Sequence, residues 1–343
     1  MSAPQPATMN PPSPSDHPGV GPAGPRPRLS ALIWTPHGTR ETNDLADLRA
    51  AYADESTRVW VDIVDGDEAL VDELAACLGI HPLVAEDILE RNQRAKIERT
   101  DSTLHIVMFA LAYEGGVEED EVDIVLGQRF LLTGHSTPFD PRDLHTLRRG
   151  PPEFLDEGPD YLLWAIVDGL VDGYFPVFDK LGDEIDDLQA DVISKPSKWV
   201  VERLFQVRRD LLYIRHAVSP QREIFNQLTN RDEPLIDPDR IVYFRDVYDH
   251  LIRLTDELDS YRELVSTTLD AYLSTVNNNL SDIMKRLTAA TVILAGIAAV
   301  AGIFGMSEAA SAIEEGSGFW LITGLMLAAA GAAVYWFRRI GWL

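Results

Sequence analysis

The rhythm of apolar positions changes twice along the chain. In the first part, residues 31–35, 58–64, 104–113, 122–126 and 128–133 are short runs rich in β-branched and aromatic residues, bounded by Gly, Asp or Pro. They predict strands. Between them, 67–78 and 83–91 carry apolar residues at spacings of three and four, which predicts helices. Residues 29–150 therefore read as an α/β domain with a mixed sheet. The acidic run Glu118 to Glu121 is expected at the solvated tip between two of the strands. After Pro141 the β signals stop, and 151–236 reads as an antiparallel helical region. Residues 160–195 carry apolar residues on one side and acids, Asp168 and Asp172 among them, on the rest. Lys195-Pro196-Ser197 supplies a turn, and 199–229 runs back.

The second change comes after Pro238. Fifty-seven consecutive residues, 239–295, contain neither Gly nor Pro, enough for a helix about 85 Å long. Ile241, Phe244, Tyr248, Leu251, Leu254, Leu258, Tyr261, Val265, Leu269, Tyr272, Val276, Leu280, Ile283 and Leu287 recur about every 3.5 residues, a coiled-coil-like period. A compact monomer cannot cover so long a seam, which calls for other helices, copies from other subunits included.

The same helix then becomes wholly apolar. Residues 287–306 are 20 positions without a charge and 319–337 are 19 more; both match a hydrocarbon core about 30 Å thick. Gly and Ala throughout suit packed membrane helices better than a buried soluble hairpin. Lys285 and Arg286 precede the first span and Arg338 and Arg339 follow the second, whereas the connecting loop 307–318 holds Glu308, Glu314 and Glu315 and no basic residue. The positive-inside rule then places both termini, 338–343 included, and the large domain in the cytoplasm of a multi-pass protein of the plasma (inner) membrane. The acidic external loop would concentrate cations at a pore mouth, or serve solubility alone.

Composition narrows the function. The 343 residues carry 30 Lys and Arg against 55 Asp and Glu, a net charge of −25, which argues against a nucleic-acid partner. Residues 1–28 hold nine of the 21 prolines and almost no aliphatic residues, and read as a disordered tail. The lone cysteine, Cys77, excludes an internal disulfide and reads as a small core residue. No phosphate-binding Gly-rich loop followed by Lys-Ser/Thr, His-Glu-x-x-His helix or Gly-x-Ser-x-Gly elbow occurs, and His81, His105, His216 and His250 read as structural. An enzyme or an ATP-driven pump thus has no visible machinery, and no organic cofactor is implied. Two spans cannot enclose an ion path alone, so transport requires an oligomer with the path on its symmetry axis. The acidic balance favours cations.

Several motifs carry a resemblance. Tyr243-Phe244-Arg245-Asp246-Val247-Tyr248-Asp249-His250, Asp270-Ala271-Tyr272-Leu273-Ser274, Ile283-Met284-Lys285-Arg286-Leu287-Thr288 and Gly302-Ile303-Phe304-Gly305-Met306 lie in this order. Upstream stand His81-Pro82-Leu83-Val84-Ala85-Glu86-Asp87-Ile88-Leu89 and Gln93-Arg94-Ala95-Lys96. Over residues 30–343 the chain resembles the CorA divalent-cation channels. The resemblance implies a funnel-shaped homopentamer in the lipid bilayer: a cytoplasmic α/β domain, a stalk helix (239–306) that becomes the pore-lining span, and a peripheral second span. It implies transport of Mg²⁺, with Co²⁺ or Ni²⁺ as surrogates, and Mg²⁺ as regulator too. A zinc transporter of the ZntB type, or a pentameric scaffold or cation sensor that no longer conducts, are the alternatives.

By the same resemblance Asp87 of one subunit and Asp246 of its neighbour, with Glu86 beside them, bind the regulatory cation; on residues alone either Asp reads rather as a helix-surface carboxylate or cap. Asp270 would ring the lower pore, where on residues alone it reads equally as an outward-facing stalk residue. Asn277, Ser281, Gly305, Met306 and Ser307 would form its selective parts, and Met284 and Leu287 its apolar gate, although a Met at helical spacing is more often core packing. Three positions depart from the family: its external Gly-Met-Asn reads Gly305-Met306-Ser307, its Pro-Leu-Thr reads Gly296-Ile297-Ala298, and an expected pore Asn is Ser281. Mg²⁺ sheds water reluctantly, so neutral oxygens that bond its waters suit it. Ser keeps such an oxygen on a shorter arm. Five copies would carry about −125, so bare subunits repel and bound divalents hold them together. High cytoplasmic Mg²⁺ is expected to close the path; its loss would loosen the subunits and let the gate wet.

Overall fold

The computed structural model describes residues 28–100, 102–137, 139–305 and 317–342. All but one residue of the expected N-terminal tail, together with Met306, Ser307, Glu308, Glu314 and Glu315, lies outside them.

Seven strands form one sheet: β1 (Leu29–Thr35), β2 (Gly38–Thr42), β3 (Arg58–Val64), β4 (Lys96–Arg99), β5 (Thr103–Tyr113), β6 (Val117–Gly127) and β7 (Phe130–His135). Their spatial order is β2-β1-β3-β7-β6-β5-β4. The central β3 and β7 are parallel, with Val61 opposite Leu132, while β1 and β6 flank them antiparallel. Alternation decides the faces. Leu29, Ala31 and Ile33 of β1, Val59, Val61 and Ile63 of β3, and Phe130 and Leu132 of β7 point to one side. There they pack on α1 (Leu45–Tyr52), α2 (Glu68–Leu78) and α3 (Pro82–Glu90), through Leu48, Val71, Leu74, Val84 and Ile88. Asp67 caps α2 by accepting from the Leu70 amide at 3.0 Å, and Gly79 ends it in the left-handed region at φ 74°.

The acidic run is not a hairpin tip. Glu118 to Glu121 belong to β6, and the turn lies just before them, where the Glu114 amide donates to the Gly116 carbonyl across Gly115 at φ 82°. Gly115 supplies the positive φ that acidic residues avoid, and so draws the turn toward itself.

Helices α4 (Pro151–Glu157), α5 (Pro159–Asp172), α6 (Tyr174–Ser194) and α7 (Lys198–Asn230) follow, and the expected helix over 160–195 is divided at Gly173. Asp168 lies on the buried side of α5, not among its solvated acids. The long helix α8 (Ile241–Gly305) runs 65 residues without interruption, about 98 Å, and α9 (Ser317–Arg339) follows it. By compactness the chain divides into two units. One holds the chain up to Ala112, Glu119–Tyr174 and His216–Ile252; the other holds Tyr113–Glu118, Phe175–Arg215 and Arg253–Leu343.

Within the first unit α8 buries Phe244, Val247 and Leu251; within the second, Leu254, Leu258, Val265 and Thr268. Their steps of three, four and seven are the heptad spacing. Val247 and Thr268 take seam positions where Tyr248 and Leu269 were expected, and those two are half-buried beside them. From Leu280 onward the seam is uncovered in a single chain: Leu280, Ile283 and Leu287 are all exposed.

Shortening a buried strand residue should be costly. Leu132→Ala lowers stability by about 3 kcal/mol in guanidinium denaturation followed by circular dichroism, because it leaves a cavity between sheet and helices. Leu83→Ala, at a position 63% exposed, changes it by less than about 0.5 kcal/mol.

Candidate cation sites and pore helix

Helix α3 presents the first carboxylates. His81 caps it, its Nδ1 accepting from the Leu83 amide at 3.2 Å, and Pro82 begins it. With Val84, Ala85 and Ile88 buried, Glu86 is left exposed and Asp87 half-buried at the edge. Asp87 Oδ2 lies 2.6 Å from Lys96 Nζ, and that ammonium is 3.2 Å from Glu98 Oε2. Burial works to lower the Lys96 pKa, but the two carboxylates outweigh it and the net shift is upward.

The start of α8 is fastened by Asp160. Its Oδ1 is 2.6 Å from Arg240 Nη1, and its Oδ2 accepts from the Asp237 amide at 3.0 Å. Gly158 allows this approach, since a Cβ there would stand 2.7 Å from Asp160 Oδ1 and 2.9 Å from Arg240 Nη1. Asp246, on the exposed side of the first turns of α8, falls in a different cluster from Asp87 within one chain. Its companions are Asp168, Asp172, His145 and His250. Donor atoms of Asp168, Asp172 and His250 lie within 4.8 Å of one another. Asp172 is 3.1 Å from His145 Nε2 and 3.4 Å from His250 Nδ1.

Asp168 titrates at about 6. Burial is the main cause and the Asp172 charge adds to it, with Asp246 pushing the same way and His250 and His145 opposing. Three acids against two imidazoles is an arrangement that a divalent cation would relieve. Sequence reading had placed Asp168 and Asp172 on a solvated face and His250 in a structural role. The signal that could have found them was spacing: Asp168 with Asp172, and Asp246 with His250, are i, i+4 pairs, one of them set in the otherwise apolar α5.

Farther along α8, Asp270, Asn277, Ser281 and Met284 are exposed and, at steps of seven, four and three, share one helix face. Asn277, Ser281 and Met284 line a shallow groove with Lys285, Thr288 and Trp342. Met284 is 60% and Leu287 62% exposed. Gly305 is the last residue of α8.

The apolar stretch of α8 is only 6% buried within the chain, whereas the less apolar stretch of Pro159–Ser194 is 67% buried. The latter is a core segment, and the former requires an apolar surrounding that the chain itself does not supply. Gly296, Ile297 and Val300 line an apolar groove with Met326, Ala329 and Ala333 of α9, the small-residue contact of membrane helices.

Residues 55–339 match the family described as CorA-like Mg2+ transporter protein. The chain belongs to the CorA-like Mg²⁺ transporter family. The cobalt/magnesium transport protein CorA of Thermotoga maritima is 34% identical over 85% of each chain. The putative metal ion transporter YfjQ of Bacillus subtilis is 30% identical over 82% of this chain and 89% of its own. The fold matches the complete structure of the CorA magnesium transporter from Methanocaldococcus jannaschii with a TM-score of 0.77, covering 91% of this chain and 98% of that one at 24% identity. This CorA-family chain is accordingly a membrane transporter of divalent cations, in a family of channels and transporters rather than enzymes.

The raised Asp168 pKa has a stability consequence with a definite sign. The folded protein holds this proton up to about pH 6 and an unfolded chain releases it near the ordinary carboxylate value. Between those values rising pH therefore weakens the metal-free fold. Asp168→Asn should raise the melting temperature by a few degrees at pH 7.5 in EDTA, and the gain should vanish below pH 4, as thermal melts across pH will read.

Proposed function

We propose that the protein is a homopentameric Mg²⁺ channel closed by cytoplasmic Mg²⁺, with both termini and residues 29–236 in the cytoplasm of the plasma membrane. The observation that carries this reading is the continuity of α8. One unbroken helix bears Asp246 near its start and Met284 and Leu287 about 40 residues on, where it turns apolar. A helix without breaks transmits displacement along its length, so what happens at the carboxylates reaches the gate.

In the closed state a Mg²⁺ bridges Asp87 of one subunit and Asp246 of the next, with Glu86 and the Asp168 cluster adding negative charge around it. Each chain brings −25, so the assembled acids repel and the bound cations offset that repulsion. When Mg²⁺ falls, the subunits loosen and the ring of Met284 and Leu287 widens and wets. Lys285, Arg286, Arg338 and Arg339 on the inner side of both spans support the orientation.

Within the path Asp270 attracts the cation, Asn277 and Ser281 offer neutral oxygens to its waters, and Gly305, Met306 and Ser307 form the outer mouth. Glu308, Glu314 and Glu315 raise the cation concentration outside it. Serine at positions 281 and 307 holds the hydrated ion more loosely than asparagine would, which favours weaker selection of Mg²⁺ over Co²⁺ and Ni²⁺.

Liposomes with an internal Mg²⁺-sensitive dye and an inside-negative potential test the transport. Mg²⁺ uptake is expected, and none at any internal Mg²⁺ would contradict conduction. Asp246→Ala should leave uptake intact while shifting its half-inhibition by internal Mg²⁺ at least about tenfold upward, as loss of a charged ligand implies; an unshifted curve removes the proposed gate. Ser307→Asn should sharpen the preference for Mg²⁺ over Co²⁺ in the same assay, and an unchanged ratio would take Ser307 out of the selective mouth.

A further inference from the structure

The sheet edge beside Asp87 holds a second constellation that the transport reading does not use. In the β4–β5 pairing Glu98 stands directly opposite His105, so their side chains share one face. His105 is fully buried, and so is Asp123 of β6, whose Oδ1 is 2.8 Å from His105 Nε2. The other ring nitrogen, Nδ1, is buried with no hydrogen-bond partner. A native structure rarely leaves such an atom unsatisfied, and each instance asks for an explanation.

The surroundings supply one. Donor atoms of Asp87, Glu98 and His105 all lie within 4.8 Å of one another. Three ligands of a shared first-row ion at about 2.1 Å stand about 3 to 3.5 Å apart, so side-chain adjustments of about 1 to 2 Å at most close the set. A carboxylate on one imidazole nitrogen fixes the tautomer and aims the other at a metal, the usual outer-shell arrangement around zinc-type sites.

We propose that Asp87, Glu98 and His105 form a transition-metal site within a single chain, with Asp123 orienting the imidazole and Lys96 as a tethered cation that occupies the site when no metal is bound. One imidazole nitrogen and two carboxylates suit Zn²⁺, Co²⁺ or Ni²⁺ and disfavour Mg²⁺, which prefers oxygen and keeps its waters. The ammonium of Lys96, 2.6 Å from Asp87 and 3.2 Å from Glu98, bridges the two carboxylates that would hold the ion. Its side chain is 23% exposed on a flexible stem, so it can leave to solvent as the metal enters. The site shares Asp87 with the inter-subunit Mg²⁺ site but uses neither Asp246 nor a neighbouring subunit. A transition metal bound here takes Asp87 away from that bridge, which makes the closed state sensitive to metals other than Mg²⁺.

The test is Co²⁺ titration of the EDTA-stripped full-length protein in detergent with excess Mg²⁺, followed by visible absorption and calorimetry. About one Co²⁺ per chain should bind. Glu98→Gln, at a half-exposed position where folding is not at stake, should weaken it about tenfold or more, as should His105→Gln if its thermal melt shows it folded. Lys96→Met, which removes the competing ammonium, should tighten it about threefold. Asp246→Ala should leave it unchanged, so failure of the gating reading and failure of this site are told apart. The proposal is overturned if no Co²⁺ binds in excess Mg²⁺, if Glu98→Gln binds as the native chain does, or if Asp246→Ala alone abolishes binding.

Discussion

The unbroken helix α8 is the constraint on which everything else depends. Sixty-five continuous helical residues join the first carboxylates to the membrane span, and no Gly or Pro before Gly296 offers a hinge. Any rearrangement at Asp246 must therefore be absorbed by tilt, by bending or by separation of neighbouring copies. Asp160, gripping Arg240 and the Asp237 amide, fixes where the helix starts, and the heptad-spaced residues Phe244 to Thr268 are buried along about its first two-fifths. From Leu280 onward its seam is uncovered in one chain. The uncovered Leu280, Ile283 and Leu287 are what a subunit offers to others and to lipid.

Electrostatics gives this continuous helix something to respond to. The acids gather where the fold leaves them uncompensated: Asp168 is held protonated up to about pH 6 by burial and by its neighbours, and Glu121, pushed up to about 7 first by burial and then by Asp123, lies in the layer that holds His105. Carboxylates whose charged form is costly in the bare protein are those that a divalent cation stabilises most. Lys96 shows the alternative to a metal, an internal ammonium lodged between Asp87 and Glu98. In the proposed mechanism the same carboxylate is thus claimed by a neighbour's Mg²⁺, by a transition metal within the chain, or by lysine.

Much of this architecture was legible in the sequence. The central strands β1, β3 and β7 announced themselves by dense apolar runs, and α8 by 57 residues free of Gly and Pro. The edge strands β2 and β4 did not, because Gly-Thr-Arg-Glu-Thr and Lys-Ile-Glu-Arg carry almost no apolar residues; they exist through pairing with β1 and β5. The turn before β6 falls at Gly115 and Gly116 and not on the acidic run, because the positive φ of Gly115 decides its place. Motif resemblance pointed to Asp87 and Asp246 but not to Asp168, Asp172 and His250, whose meeting depends on the packing of α5 against the start of α8. His105 was read as structural, and only the fold shows its Nδ1 buried and unsatisfied beside two carboxylates.

The central claim is that divalent cations hold neighbouring copies of α8 together. With Cys77, the only cysteine, replaced by alanine, a spin label at Leu273→Cys, 59% exposed on α8, reports distances between subunits by pulsed electron resonance in lipid nanodiscs. The account predicts a narrow distribution in Mg²⁺ that broadens and lengthens in EDTA and narrows again when Mg²⁺ returns. A distribution that is the same in Mg²⁺ and in EDTA would contradict it.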